Sequence, residues 1–132
     1  MGQVKVRYIV DDVEQAVDFY TSLLGFDVKM KPAPGFAALE REGLTLLLNQ
    51  PGAGGAGADV PGGGAPKPGG WNRFQLEIDD LEGLVERLKR EGATFRNEIV
   101  SGRGGKQILL ADPSGNVIEL FEPHGDSRSG PS

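Results

Sequence analysis

The sequence predicts an α+β fold made of two tandem βαβββ modules, because the chain contains an internal repeat. The segment YIVDDVEQAVDFYTSLLGF is followed about 68 residues later by LEIDDLEGLVERLKREGATF. Both segments show a strand, an Asp-Asp pair and an amphipathic helix followed by glycine. Three extended segments follow each helix, namely FDVKM, FAALE and LTLLLN in the first half and TFRNEIV, KQILLA and NVIELF in the second. Each half therefore has the order βαβββ.

Each predicted helix has one apolar face with helical spacing. Asp11 with Glu14, and Asp79 with Glu82, have the spacing of a capping box and predict where the helices begin. Gly25 and Gly92 follow the two predicted helices, and we expect each to adopt the left-handed conformation that ends a helix. The apolar faces consist of Val13, Ala16, Val17 and Tyr20 in the first helix and of Leu81, Leu84, Val85 and Leu88 in the second.

The 132 residues are enough for one domain with a hydrophobic core, which we expect over residues 1–126. Module one covers 3–51, a glycine-rich linker covers 52–70, module two covers 71–123, and a disordered tail is expected over 124–132. The linker is predicted to be mobile or to act as a lid. It contains the pattern G-x-G-x-x-G, but the prolines that follow argue against a helix there and so against a dinucleotide site.

Composition excludes several classes of function. The formal net charge of −5 argues against a nucleic-acid partner and favours a neutral or cationic small molecule. The chain contains no cysteine, so disulfides and thiolate metal sites are excluded. Its apolar runs are too short for a membrane span, and the N-terminus lacks the features of a secretion signal. We therefore expect a cytoplasmic protein that does not interact with membranes.

Alternation along the strands predicts a second, polar face on each sheet. In KVRYIV, Val6, Tyr8 and Val10 should pack on the helices, which turns Lys5, Arg7 and Ile9 the other way. The same alternation places on this second face Thr45, Leu47 and Asn49, then Arg73, Gln75 and Glu77, and finally Val117, Glu119 and Phe121. A face that mixes charged, amide and apolar side chains is typical of the lining of a half-open cup that binds a ligand.

The duplicated pattern, together with the motifs VDDVEQAVDFYTSLLGF and DPSGNVIEL, resembles the vicinal oxygen chelate superfamily. That group includes glyoxalase I, extradiol dioxygenases, fosfomycin-modifying enzymes and bleomycin-resistance proteins. The resemblance covers Val4 to Pro123 apart from the linker. It implies a cup-shaped, half-open mixed β-sheet barrel with the helices outside, and a homodimer.

In metal-dependent members of that superfamily, the first and last strands of each module supply the ligands. The corresponding residues here are Lys5, Leu47, Arg73 and Glu119, of which only Glu119 suits a divalent metal. The only histidine, His124, lies in the expected tail. We therefore expect no metal, no cofactor and no evident catalytic residue. Lys5 and Arg73 are expected near Glu119, either as an ion-pair plug, as groups that orient a ligand, or around a catalytic carboxylate.

Three aromatic residues are candidates for stacking on a ligand, although each could instead cover the edge of the core: Trp71, Phe36 and Phe121. The predicted ligand-binding set is Trp71, Phe36, Lys5, Arg7, Leu47, Asn49, Arg73, Gln75, Glu119 and Phe121. The leading hypothesis is a protein that sequesters an aromatic or amphipathic natural product without turnover, as antibiotic-resistance proteins do. The alternatives are a glyoxalase- or dioxygenase-like lyase or isomerase with Glu119 as general base, and a scaffold for a protein partner.

Overall fold

A computed structural model describes residues 3–125 of the chain, with nine strands and three helices in that range. In chain order these are β1 (Lys5–Ile9), α1 (Val13–Leu24), β2 (Asp27–Ala33), β3 (Phe36–Arg41), β4 (Leu44–Asn49), α2 (Gly54–Gly57), β5 (Arg73–Glu77), α3 (Leu81–Arg90), β6 (Thr94–Phe95), β7 (Val100–Ser101), β8 (Gly105–Ala111) and β9 (Val117–Pro123). None of the three helices is both long and apolar enough to cross a membrane.

The chain forms two compact units, and each contains one open mixed sheet. Unit 1 comprises residues up to Gly69 together with Pro113–Asn116, and unit 2 comprises Gly70–Asp112 and the chain from Val117 onward. The sheet of unit 1 has the strand order β1-β4-β3-β2, with β1 parallel to β4. The sheet of unit 2 has the order β5-β9-β8-β6, with β7 beside β8 and β5 parallel to β9. The predicted α+β class is confirmed.

The helices bury the apolar faces that their spacing predicts. In α1, Val13, Ala16 and Tyr20 are buried, and the Tyr20 ring packs edge-on against Phe26 at a centroid distance of 5.5 Å. In α3 the buried residues are Leu81, Val85 and Leu88. The helix-facing residues of the central strands complete the two cores, among them Leu39, Leu46 and Leu48 in unit 1 and Ile108, Leu110, Ile118 and Leu120 in unit 2.

Both long helices begin one residue later than the capping-box spacing predicts. The N-caps are Asp12 and Asp80, whose carboxylates accept hydrogen bonds from the backbone N–H three residues on. The prediction of Asp11 and Asp79 was wrong because either aspartate of each pair could serve as a cap. The predicted left-handed glycines are confirmed, since Gly25 has φ 74° and Gly92 has φ 85°.

The segment predicted as one strand, TFRNEIV, is divided into β6 and β7. At the break, the Asn97 side chain accepts the backbone N–H of Leu109 at 2.9 Å, a donor that a continuous strand would otherwise use. The neighbouring Arg96 N–H still donates to the carbonyl of Leu109. A side-chain amide therefore replaces the backbone at this position, which the alternation of apolar residues does not reveal.

The glycine-rich linker contains local structure that the sequence did not predict. Residues Gly54–Gly57 form the single-turn helix α2, and the expectation that no helix follows the glycine pattern holds, since the next regular element is β5. Further along, Val60 and Gly64 form an isolated antiparallel bridge. Helix α2 lies inside the G-x-G-x-x-G pattern rather than after it, so the turn does not restore a dinucleotide motif.

The turn before the last strand contributes to unit 1 and fixes the loop between β1 and α1. The buried Asn116 side chain accepts the N–H of Gly69 and donates to the carbonyl of Ile9, both at 2.8 Å. Nearby, Ser114 Oγ accepts the N–H of Asp11 at 2.9 Å. Side chains of this turn thus hold backbone that lies more than 40 residues earlier in the chain.

His124 belongs to the described fold rather than to the tail predicted over 124–132. Its backbone N–H donates to the carbonyl of Gly104, and its ring Nε2 lies 3.0 Å from the carbonyl oxygen of Gly102. The rest of the predicted tail, from residue 126 onward, lies outside the described residues.

Candidate functional site

The second face of the unit 2 sheet carries a polar cluster at its centre. The parallel register sets Gln75 opposite Glu119, with Arg73 opposite Val117. On the other side of the last strand, Leu109 lies opposite Glu119. The opposite face of the same strands holds the buried core, so the alternation predicted from sequence is present.

Both carboxylate oxygens of Glu119 accept hydrogen bonds from neighbouring side chains. Arg73 Nε lies 3.0 Å from Oε1, and Gln75 Nε2 lies 2.7 Å from Oε2. The Glu119 side chain is 13% exposed and that of Arg73 is 29% exposed. The predicted contact between Arg73 and Glu119 is therefore present. The role of Gln75 as a second donor depends on the parallel register, which brings its side chain directly beside Glu119.

Pairing with Arg73 explains how a carboxylate is tolerated in the centre of this strand. A charged hydrogen bond and an amide hydrogen bond replace much of the hydration that Glu119 loses on partial burial. The Arg73 guanidinium beside Oε1 is a positive charge that opposes a metal cation at the same carboxylate. The carboxylate is arranged to stabilise the fold or to orient a ligand through Arg73 and Gln75.

Trp71 lies beside this cluster and is 66% exposed. Its backbone carbonyl accepts a hydrogen bond from Arg73 Nη1 at 3.3 Å. The guanidinium carbon of Arg96 lies 4.8 Å from the centroid of the indole ring, which is a cation–π contact. The indole is therefore a platform on the surface rather than a cover for the core.

A small cavity of about 240 Å³ lies at the turn between β7 and β8. Two of its lining residues, Gln107 and Phe121, lie opposite each other on the face that carries Glu119. Arg103 adds a cation to the lining. Of these three, only Phe121 was predicted. The sequence reasoning did not place the segment SGRGGKQ beside this polar face.

In unit 1, the second face of the sheet also places cationic residues above a mixed surface. Lys5 and Arg7 are exposed, whereas Leu47 and Phe36 are half-buried. Arg7 Nη1 donates to Asn49 Oδ1. Asn49 itself is only 3% exposed, so the prediction that it lines an open surface was wrong. It is a buried hydrogen-bond acceptor for the Arg7 guanidinium. Thr45 is buried in the same way and accepts a hydrogen bond from Gln3.

The four positions that the superfamily resemblance assigns to metal ligands do not offer a metal-binding set. They hold an ammonium, an aliphatic side chain, a guanidinium and one paired carboxylate, at Lys5, Leu47, Arg73 and Glu119. No three histidine, aspartate or glutamate side chains within residues 3–125 form a group that could hold a metal ion. The expected approach of Lys5 to Glu119 involves both units and stays a prediction.

Comparison with protein families gives a single assignment. Residues 2–120 match the model of the Glyoxalase/Bleomycin resistance protein/Dioxygenase superfamily. The chain belongs to this superfamily. A crystal structure of a superfamily member from Nocardioides is 25% identical, has a TM-score of 0.73, and is matched over 100% of this chain and 89% of its own. Lactoylglutathione lyase from Agrobacterium tumefaciens is 20% identical, with a TM-score of 0.73 and coverage of 98% and 97% of the two chains, which shows the shared fold.

One curated relative is CFP32 of Mycobacterium bovis, which is named as a candidate glyoxylase. It is 25% identical over 118 residues, and the match covers 84% of this chain. The chain spans about two fifths of the length of the curated relatives it matches, since the match covers 41% of CFP32.

Proposed function

We propose that this member of the superfamily binds a small aromatic or amphipathic natural product and sequesters it without turnover, as in antibiotic resistance. The observation that carries the proposal is the pairing of Glu119 with Arg73 and Gln75. Glu119 is the one carboxylate among the positions that resemble metal ligands, and each of its oxygens already accepts a hydrogen bond from the protein, one of them from a cation. The groups around it are suited to hydrogen bonding and stacking rather than to metal chemistry.

The surroundings of the cluster support binding of a planar molecule with polar substituents. Trp71 presents an exposed indole, and Phe121 and Gln107 border a cavity on the same face. Aromatic side chains provide a large contact area with little loss of side-chain entropy, while guanidinium and amide groups orient polar substituents. Such a surface needs no catalytic residue to retain a ligand.

A titration of Trp71 fluorescence with polycyclic aromatic natural products tests the proposal, because Trp71 is the only tryptophan. We expect saturable quenching at micromolar concentrations, which corresponds to about −8 kcal/mol. Mass spectrometry should recover each ligand unchanged. Loss of ligand mass, or binding only after a divalent metal is added, would contradict sequestration.

Two variants test whether the cluster contacts the ligand. Glu119→Gln and Arg73→Met should each weaken binding about three- to tenfold, the range expected for a partly exposed charged hydrogen bond. The matched controls are Glu98→Gln and Arg90→Met, since both residues lie on the exposed surface away from the cluster. If all four variants bind as the wild type does, the cluster is an ion-pair plug without contact to the ligand.

A lyase or isomerase is the second candidate, and the name of the mycobacterial relative favours it. In that case Glu119 would act as general base. The Arg73 guanidinium beside its carboxylate favours the charged form and so makes Glu119 a weaker base. Turnover of a small carbonyl substrate that is lost in Glu119→Gln but kept in Glu98→Gln would support this candidate over sequestration.

The proposal includes a homodimer and a cytoplasmic location. Open sheet edges favour pairing between copies of the chain. Light scattering over a concentration series measures the oligomeric state directly, and a mass of one chain at all concentrations would contradict the dimer.

A further inference from the structure

The two repeats differ in how they balance positive charge on the second face of their sheets. In unit 2, Arg73 is paired with Glu119. The equivalent strands of unit 1 carry two cations, Lys5 and Arg7, and the register places Leu47 opposite Arg7. Leu47 thus stands where unit 2 has its carboxylate. The internal repeat thus allows a comparison between a cation that is paired with a carboxylate and two cations at equivalent strands without such a pair.

A neutral group holds Arg7 in place. Its guanidinium donates to the buried Asn49 side chain, whose own amide lies 3.4 Å from the carbonyl oxygen of Ala53. This contact orients the guanidinium without neutralising it. Within the described residues of unit 1, neither Lys5 nor Arg7 forms an ion pair with a carboxylate. Glu40, the nearest acidic residue in the register on this face, pairs with Lys29 at 3.7 Å.

The two cations stand side by side above an apolar surface. They are two residues apart on β1, about 6.5 Å along the strand, so both side chains emerge on the same side. The half-buried Leu47 and Phe36 lie on the two neighbouring strands of the same face. A cationic edge beside an apolar surface matches a molecule with an anionic group attached to an aromatic body.

We propose that this face of unit 1, formed by Lys5, Arg7, Leu47 and Phe36, binds a small organic acid through its carboxylate or another oxyanion. Lys5 and Arg7 donate to the oxyanion, and the aromatic body lies on Leu47 and Phe36. The inference rests on the proposed function and defines its ligand class. It differs from the expectation based on the net charge of −5, which favours cationic ligands, because local charge governs contact at close range.

Two fluorescent probes that differ by one anionic group provide the test. 8-Anilinonaphthalene-1-sulfonate carries a sulfonate, and N-phenyl-1-naphthylamine is its neutral counterpart. The wild-type protein should bind the anionic probe at least about fivefold more tightly at low salt, and the preference should disappear near 1 M salt, where charges are screened beyond about 3 Å.

Single substitutions locate the preference on the protein. Lys5→Met and Arg7→Met should each reduce affinity for the anionic probe about three- to fivefold and leave the neutral probe unchanged. Lys5→Arg should retain the preference. Lys67→Met is the matched control, because Lys67 is an exposed linker lysine and its loss changes the net charge equally. Circular dichroism should show that every variant is folded, as expected for exposed positions.

The outcomes separate this inference from the proposed function. Equal affinity for the two probes, or equal losses in Lys5→Met and Lys67→Met, would overturn the inference while leaving sequestration intact. Absence of binding by both probes, with Trp71 still responding to natural products, would also overturn it. Failure of both the probes and the Trp71 titration would contradict the proposed function, and the inference with it.

Discussion

Replacement of Asn116 by alanine should destabilise the protein although the residue lies in a turn. The side chain is 4% exposed, and it joins two segments of unit 1 through hydrogen bonds of 2.8 Å to the N–H of Gly69 and the carbonyl of Ile9. Asn116→Ala removes both bonds and leaves these backbone groups without the partners that the native turn supplies.

The expected loss follows from the surroundings of the two backbone groups. Gly69 is exposed, so water can replace its partner and the cost is about 0.5–1.5 kcal/mol. Ile9 is half-buried, so its carbonyl loses a partner with less access to water, at about 1–3 kcal/mol. Together they predict a decrease of about 1.5–4.5 kcal/mol in the free energy of unfolding.

Urea unfolding followed by circular dichroism measures this decrease. Asn116→Asp keeps an oxygen for Gly69 but sets a second acceptor against the carbonyl of Ile9 and buries a charge, so at neutral pH it should be at least as destabilising as Asn116→Ala. Asn72→Ala is the matched control because Asn72 is exposed. A difference of less than about 0.5 kcal/mol between Asn116→Ala and that control, the range of ordinary surface substitutions, would refute the reasoning.

Two further predictions concern the unit 2 sheet. Gly105→Ala should destabilise the protein by about 1–3 kcal/mol, since the added methyl would overlap the carbonyl of Glu122. Gly102→Ala is the control in thermal unfolding, because a methyl added there has its nearest neighbouring atom 4.0 Å away. Equal stability of the two variants would contradict the prediction. The hydrogen bond to Glu82 raises the pKa of Lys106, so its contribution to stability is present below its ordinary pKa and is lost as the pH rises through the raised value. The difference in thermal midpoint between wild type and Lys106→Met should therefore be smaller above about pH 11 than at about pH 8. A difference that does not change with pH would argue against the ion pair.

The sequence predicted the order of elements and the two faces of each sheet because both depend on local periodicity. Residues at alternate positions of β1 and β9 face opposite sides whatever the distant parts of the chain do. Helix ends also depend on local sequence, but the sequence does not decide between Asp11 and Asp12 because both residues can act as the N-cap. The interruption of TFRNEIV was missed because it depends on Asn97, whose partner Leu109 lies twelve residues away.

The candidate site was predicted only in part for the same physical reason. Arg73 and Glu119 were paired from charge and expected proximity. Gln75 was identified only as a lining residue, since its hydrogen bond follows from a parallel register that sequence does not fix. Asn49 was expected on an open surface, but its burial depends on where the long side chain of Arg7 lies. The sequence therefore did not show the neutral hydrogen-bond partners across strands, namely Gln75 for Glu119 and Asn49 for Arg7.

The contribution of residues 113–116 to unit 1 has a consequence for biosynthesis. A chain emerging from the ribosome contains all of β1, α1 and β2–β4 long before it contains Asn116. The first unit therefore lacks the Asn116 side chain until well after its own strands have been made, and we expect it to mature only once residue 116 has emerged. For the same reason, proteolysis within the glycine-rich linker should leave a nicked but associated protein rather than a free N-terminal half.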